Sequence, residues 1–322
     1  MDAIPAADLA KLAELYGDTI TSGDLYGYDK KMYGAAIRGA LPKLRRGVFS
    51  LKAAAPAKTV DPKDAQRARA EMASDISRRF AAVETLADGL IGGHIRSLIV
   101  AGAPGVGKTF TLENRLKAAE KAKTIKSVIE IKGTISGIGL FLTLWENREK
   151  GCVIMLDDID SVFGDEEAMN VLKGALDSGS RRVISWMKDS SFLRDRDVPT
   201  TFEYEGQIVF VTNKNLTAEI EAGTKQAPHM AALLSRSVFL DLAIHSKEAI
   251  LVRIEQVVSG TKFGRDLGLK DSQVAEVMSW LTTNVDRVRL LSLRTIIQIA
   301  GYIKTTPDWR NLAELTVLTQ RH

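Results

Sequence analysis

From residue 97 onward, short apolar runs alternate with segments of helical length. The apolar runs cover 97–103, 127–133, 152–158, 207–213 and 237–243. Runs this short, apolar on both alternating positions, are typical of strands buried on both faces of a parallel sheet. Helical spacing predicts helices between them over 109–122, 140–150 and 165–178. The pattern therefore predicts an α/β fold whose parallel sheet is flanked by helices.

The two ends of the chain lack this alternation. After about residue 245, apolar positions at helical spacing predict helices near 246–258, 272–284, 292–303 and 309–318. Before the α/β region, the sequence predicts a short helix over 6–15 and a longer one over 63–87. The stretch between these two contains Pro42, Pro56 and Pro62 and is interpreted as a linker. We predict an N-terminal arm and linker over 1–62, an α/β domain over 63–244 and a small all-α domain over 245–322.

Charge is distributed unevenly along the 322 residues. The chain has 44 Lys and Arg against 40 Asp and Glu, yet residues 30–79 alone carry 13 basic against 4 acidic side chains. A basic arm of this kind predicts an acidic partner, with nucleic acid as the leading candidate. Cys152 is the single cysteine, and no apolar run approaches the roughly 20 residues that span a bilayer. We therefore expect a cytoplasmic protein without a membrane segment.

The segment GAPGVGKT, residues 102–109, lies between a predicted strand and a predicted helix. It matches the phosphate-loop pattern G-x-x-x-x-G-K-[ST] in the context that this pattern requires. Lys108 is expected to reach the β- and γ-phosphates of ATP, and Thr109 to ligate Mg²⁺. The candidate nucleotide-binding residues are Gly102, Ala103, Pro104, Gly105, Val106, Gly107, Lys108, Thr109 and Phe110.

Two carboxylates stand at the end of the predicted strand over 152–158. Asp157 and Asp158 end the apolar run VIMLDD. Asp157 is expected to orient Mg²⁺, and Asp158 to act as the base that polarises the attacking water. Asp160 is expected to cap the following helix.

Five motifs in this order resemble those of the AAA+ ATPase superfamily, over roughly residues 80–305. GAPGVGKT and LDDIDS look like its two phosphate-site motifs. IVFVTN places Asn213 at the family's sensor-1 position, and AALLSRSVFLDL places Arg236 like the arginine finger of clamp-loader-like members. LSLRTIIQIA places Arg294 at sensor 2, with Arg287 and Arg289 as nearby rivals. The resemblance implies a phosphate-loop sheet followed by a helical lid domain.

The resemblance also implies roles for these residues. Asn213 would contact the attacking water or the γ-phosphate, and Arg294 would report the γ-phosphate to the lid. Arg236 would act on the nucleotide of a neighbouring subunit, which implies a homo-oligomeric ring or open spiral, often of six subunits. Most members have Glu where this chain has Asp158, so we expect hydrolysis to be slow. Paired aspartates here are also found in superfamily-3 helicases, and the compact layout looks like helicase-loader-like and phage-encoded members.

Two segments bear on the work that the nucleotide supports. The candidate central-channel loop, 133–139, lacks the aromatic residue typical of members that thread proteins. Residues 180–207 are predicted to form a hairpin insertion, and its 180–196 part mixes arginines and lysine with Trp186 and Phe192. That mixture fits either single-stranded nucleic acid or cations paired with nearby carboxylates. Three functions remain open: a motor on DNA or nucleoprotein, a nucleotide-gated loader or switch, and a protein-remodelling chaperone.

Overall fold

The computed structural model describes residues 6–16, 19–31, 36, 41, 43–45, 48–50 and 62–319. The chain divides into two compact units, Met1–Ala68 and Arg69–His322. Within the described ranges, no helix is both long and apolar enough to cross a membrane.

The N-terminal unit is built around a small antiparallel sheet. Its elements are α1 (Ala6–Tyr16), β1 (Thr19–Thr21), α2 (Ser22–Tyr28), β2 (Lys43–Arg45) and β3 (Val48–Ser50). The strands lie in the order β1-β3-β2. The helix predicted over 6–15 is confirmed. The linker prediction is wrong for β2 and β3, which pair with each other, because short strands with mixed polarity have no clear period-2 pattern. Pro42 and Pro56 lie outside the described residues.

Helix α3 (Pro62–Ile91) begins on a proline and runs beyond the predicted end at residue 87. A proline fits the first helical turn because its missing N–H would have no partner there.

The second unit contains the predicted parallel sheet. Its strands are β4 (Ser97–Ala101), β5 (Ser127–Lys132), β6 (Cys152–Asp157), β9 (Gln207–Thr212) and β10 (Val238–Asp241), and a separate hairpin is formed by β7 (Val183–Ser185) and β8 (Thr201–Glu203). The sheet order is β10-β4-β9-β6-β5, with every neighbouring pair parallel. The α/β fold and the hairpin insertion are therefore confirmed.

Helices cover the sheet and continue after it. Those between the strands are α4 (Lys108–Lys121), α5 (Gly137–Glu146), α6 (Glu166–Ala175), α7 (Ser191–Arg194), α8 (Leu216–Glu221) and α9 (Ala227–Leu234). Those after the sheet are α10 (Lys247–Gly260), α11 (Phe263–Asp266), α12 (Asp271–Asn284), α13 (Leu293–Thr305) and α14 (Trp309–Val317). The all-helical C-terminal region is confirmed.

Each central strand contributes to two cores because successive side chains point to opposite faces. On β9, Val209 and Val211 pack in the core shared with the C-terminal helices. Ile208 and Phe210, on the other face, pack with α5 and α6. This explains why the strands read as continuous apolar runs.

Helix α5 begins at Gly137, three residues before the predicted start. The Ser136 side chain accepts a hydrogen bond from the Gly139 N–H at 3.2 Å and caps the helix. Ile138 and Gly139 therefore belong to α5 and not to the candidate channel loop. The glycines around Ser136 concealed this N-cap in the sequence.

The strand order brings three chain segments to one edge of the sheet. Ala101 at the end of β4 pairs with Thr212 of β9, and Asp157 at the end of β6 pairs with Val211. Since β9 lies between β4 and β6, the residue after β9 lies between the loops that follow the other two. Ligands of open parallel sheets bind at this carboxyl edge.

Candidate nucleotide site

The loop after β4 follows a backbone path that requires glycine. Gly105 and Gly107 have φ of +67° and +99°, in the left-handed region that other residues rarely adopt. A Cβ on Gly105 would also lie 2.7 Å from the Cβ of Ser292. Gly107 leads directly into α4, whose N-terminal N–H groups and partial positive charge favour an anion.

Lys108 is buried at the centre of this loop and is 4% exposed. Its Nζ donates to the carbonyls of Gly102 and Ala103 and to Oδ1 of Asn213, each at 2.8 Å. Burial lowers the pKa of Lys108 to about 8, although the charge of Asp158 opposes this shift. The ammonium group is thus held by acceptors that a phosphate oxygen can replace.

Thr109 and Asp157 form the second part of the site. The Thr109 hydroxyl donates to Oδ1 of Asp157 at 3.0 Å. Lys132 Nζ lies 3.7 Å from the other carboxylate oxygen and 2.7 Å from Oε1 of Glu130. A hydroxyl and a carboxylate in contact are hard oxygen donors of the kind Mg²⁺ takes, alongside substrate phosphates and water. These residues therefore fit a magnesium–nucleotide complex.

Asn213 connects Lys108 to Asp158. Its Oδ1 accepts from the lysine, and its Nδ2 donates to Oδ1 of Asp158 at 2.7 Å. Asp158 has φ of +54°, a left-handed conformation that Asp tolerates, and its N–H donates to the Val211 carbonyl at 3.0 Å. Its exposed side chain lines a cavity of about 960 Å³ together with Lys108 and Thr109.

The expectation that Asp160 caps the next helix is wrong. Its Oδ1 accepts from the Thr212 hydroxyl at 2.8 Å. Asp165 caps α6, accepting from the N–H groups of Glu167 and Ala168. A 3₁₀ turn over Asp160–Gly164 separates β6 from α6, so that α6 begins later than expected. Asp160 and Asp165 are both residues suited to an N-cap, and the sequence alone did not distinguish them.

Arg236 lies away from the phosphate loop of its own chain. Its side chain is exposed, and Nη1 donates to the Ala232 carbonyl at 2.9 Å. Its own carbonyl accepts from the Ser97 hydroxyl at 3.2 Å, at the start of β4. The phosphate loop begins at the other end of that strand, about 13 Å away at roughly 3.3 Å per residue.

Arg294 lies on α13 and lines the same cavity as Lys108. The preceding Leu293 N–H donates to the Gly105 carbonyl at 2.9 Å. The rival Arg287 lies 3.5 Å from Oδ1 of Asn284, and Arg289 donates to the Thr316 carbonyl. Neither rival lines the cavity, so the structure favours Arg294 among the three.

Sequence reasoning missed Arg253 and Phe80, which also line the cavity. Arg253 Nε donates to the Val106 carbonyl at 3.3 Å, and its guanidinium lies 3.3 Å from the centroid of the Phe80 ring. Burial lowers the pKa of Arg253 to about 10. No motif marks either residue, because Phe80 on α3 and Arg253 on α10 are far apart in the sequence and meet only in the folded chain.

The basic side chains of 180–196 are mostly engaged within the protein. Those that pair with carboxylates or carbonyls are Arg181 with Glu203, Arg182 with the Ala175 and Gly206 carbonyls, Lys188 with Glu167, and Arg194 with Asp189. Trp186 is buried, and the guanidinium of Arg196 lies 4.0 Å from the Phe192 ring. These contacts favour the alternative in which carboxylates neutralise the segment.

Much of the basic arm over 30–79 lies outside the described residues. At its C-terminal end, within α3, Arg69 pairs with Glu255 at 2.6 Å, and Arg79 pairs with Asp75 at 2.7 Å. The nucleic-acid expectation for this arm stays a prediction.

Known proteins match this chain at the levels of sequence and fold. The model of the "ATPase family associated with various cellular activities (AAA)" matches residues 98–193. An uncharacterized 36.7 kDa protein from the nrdC-mobD intergenic region of Enterobacteria phage T4 is 40% identical over 270 residues, covering 84% of this chain and 82% of the relative.

Among solved structures, NtrX from Brucella abortus in complex with ADP matches with a TM-score of 0.42 and 16% identity. That match covers 72% of this chain and 50% of NtrX, so the chain spans about half of that protein's length. The DnaC helicase loader matches with a TM-score of 0.28 and 14% identity, covering 51% of this chain and 88% of the loader.

Proposed function

The chain belongs to the AAA family of ATPases, and from this premise we propose that it binds ATP with Mg²⁺ and hydrolyses it at the subunit boundaries of a homo-oligomer. The observation that carries the proposal is the hydrogen-bonded chain from Lys108 through Asn213 to Asp158, next to the Thr109–Asp157 pair. Phosphoryl transfer to water needs these groups: a cation that donates hydrogen bonds to the phosphates, a metal site, and a base beside an amide that orients the water.

Each residue has a distinct role in this proposal. Lys108 and the N–H groups of the loop bind phosphate oxygens, while Thr109 and Asp157 hold Mg²⁺. The bound ion supplies neutralisation of the charge on the transferred phosphoryl group. Asp158 accepts the proton of the attacking water, and Asn213 orients that water by a hydrogen bond.

The position of Arg236 supports action between subunits. It lies at the amino edge of the sheet, exposed, with its own phosphate loop at the opposite edge. A neighbouring subunit that presents its phosphate loop to this surface would complete the site, and such an arginine is worth about 10³–10⁵ in rate. Arg294 would contact the nucleotide from within the same chain.

We further propose that the work is done on DNA or a nucleoprotein complex. The excess of basic residues over 30–79 supports this, and the lack of an aromatic residue in 133–139 argues against protein threading. Because most cations of 180–196 are already paired within the protein, we propose that the N-terminal arm, and not this segment, contacts nucleic acid.

The test is the ATPase rate with single-stranded DNA, duplex DNA or an unfolded polypeptide, each across a salt series. DNA stimulation that weakens steeply with salt is the expected result, because phosphate contacts release counterions. Stimulation by polypeptide alone would replace this proposal with a protein-remodelling chaperone.

A second candidate is a nucleotide-gated loader or switch with little turnover. The observation that favours it is Asp158 itself, one methylene shorter than the usual Glu and already held by Asn213. ATP-dependent assembly or DNA binding, with less than one turnover during the lifetime of the complex, would select this candidate.

A further inference from the structure

We propose that Arg253, which projects from α10 and lies against Phe80, is a second nucleotide-binding arginine that contacts the part of the ligand shared by ADP and ATP. The inference rests on the proposed nucleotide site and adds a residue to it that no motif indicated.

Arg253 presents free donors to the cavity. Its Nε is used by the Val106 carbonyl. Within the part of the chain that the structure describes, its two Nη groups have no hydrogen-bond acceptor. A Cβ on Gly107 would lie 3.8 Å from Nη2, so these donors are beside the residue that leads into α4.

The guanidinium is held in place before any ligand binds. The Phe80 ring lies against its face, and the Val106 carbonyl fixes its edge. A planar guanidinium held in this way loses little conformational freedom when it binds a phosphate or a ribose hydroxyl. Burial also lowers the pKa of Arg253 to about 10, although the charge of Glu84, which lines the same cavity, opposes this shift.

The two arginines of the cavity contact different flanks of the phosphate loop. Arg294 lies beside Gly105, where an added Cβ would be 3.8 Å from its Cγ, and it is close enough to Lys108 for its charge to lower the pKa of that lysine. Arg253 instead donates to the Val106 carbonyl and lies beside Gly107, where α4 begins. Because Lys108 and Asp158 mark the γ-phosphate end, Arg253 lies toward the end of the nucleotide that ADP and ATP have in common.

The test measures binding of Mg-ADP and Mg-ATP by calorimetry to the wild-type chain, Arg253→Ala, Arg253→Lys and Phe80→Leu. We expect Arg253→Ala to weaken both ligands equally, by about tenfold to a hundredfold, as for a lost charge-assisted hydrogen bond. Arg253→Lys keeps the charge but not the planar donor pair, so it should weaken both as well. Phe80→Leu should cause a smaller loss, again equal for the two ligands.

Arg310→Ala is the matched control, because Arg310 pairs with Glu276 at the surface of α14, outside the nucleotide cavity. It should bind both ligands like the wild type. Thermal melts without nucleotide identify any variant that fails to fold, in which case Arg253→Lys decides.

Two results overturn the inference alone: binding within twofold of wild type in both Arg253 variants, or a loss confined to ATP, which would place Arg253 at the γ-phosphate. A wild-type chain and an Arg310→Ala variant that bind neither ligand would overturn the nucleotide site, and the inference with it.

Discussion

Replacing Asp158 by Asn tests the catalytic assignment with little disturbance of the structure. Asn tolerates the left-handed backbone at φ of +54° about as well as Asp, whereas Ala would add strain at this position. Asn also keeps the Oδ1 acceptor for the Asn213 amide. The side chain is exposed, so we expect the free energy of unfolding to change by less than about 0.5 kcal/mol.

The effect on turnover should be much larger. A positioned general base contributes about 10²–10⁴ in rate, equivalent to about 3–5 kcal/mol of activation free energy. Mg-ATP affinity should stay near the wild-type value or rise slightly, because one negative charge is removed beside the phosphates. The assay is single-turnover ATP hydrolysis by the assembled oligomer, with affinity measured separately.

Asp160→Asn is the matched control, since it makes the same chemical change two residues away in a carboxylate bonded to Thr212 and outside the cavity. It should keep the wild-type rate within about threefold, on the scale of a substitution that touches neither ligand nor water. Asp158→Asn with intact ATP binding and more than a third of wild-type turnover would refute the assignment of Asp158 as the base.

Three further predictions follow from the same geometry. Phosphate contact should raise the lowered pKa of Lys108, so nucleotide affinity, measured by calorimetry, should be constant below about pH 8 and fall up to tenfold per pH unit above it; a flat profile from pH 7 to 9.5 contradicts this. Arg236→Ala and Lys108→Ala chains should each lack ATPase activity, yet oligomers that mix the two should regain part of it. In such an oligomer the Lys108→Ala chain supplies the arginine and the Arg236→Ala chain supplies the nucleotide site. No recovery of activity in confirmed mixed oligomers argues against action in trans. Gly105→Ala should lower the free energy of unfolding in urea by at least about 1 kcal/mol more than Gly133→Ala, since both have positive φ but only Gly105 has the Ser292 Cβ within 2.7 Å of the added methyl; equal losses would show that the loop moves freely.

Local pattern was enough to predict the sheet and its site loops. The three central strands, β4, β6 and β9, are buried on both faces, so they read as apolar runs. The loop over 102–109 has the spacing that its positive-φ glycines and buried lysine require. The same reasoning failed for Lys43–Arg45 and Val48–Ser50, where a three-residue strand offers too few positions to show a period.

The order of the strands in space could not be read from spacing. Asn213 can bridge Lys108 and Asp158 only because β9 lies between β4 and β6 in the sheet. In the chain, however, β9 comes after both of these strands. The contact of Arg253 with Phe80 likewise depends on how α10 packs against α3, which periodicity does not determine. Polar residues that act through such long-range contacts are visible only once the fold is known.

The hydrogen bonds of Lys108 indicate how nucleotide binding would reach the catalytic water. To contact a phosphate, Nζ must give up at least one of its three acceptors, Gly102, Ala103 or Asn213. The two carbonyls belong to the phosphate loop, whereas Asn213 also donates to Asp158. Exchanging one hydrogen bond for another costs little net free energy, so the lysine can switch partners readily. Under the proposed function, giving up Asn213 would free its Oδ1 for a water molecule while its Nδ2 stays bonded to Asp158, and the arrangement of the base would then depend on occupancy of the loop.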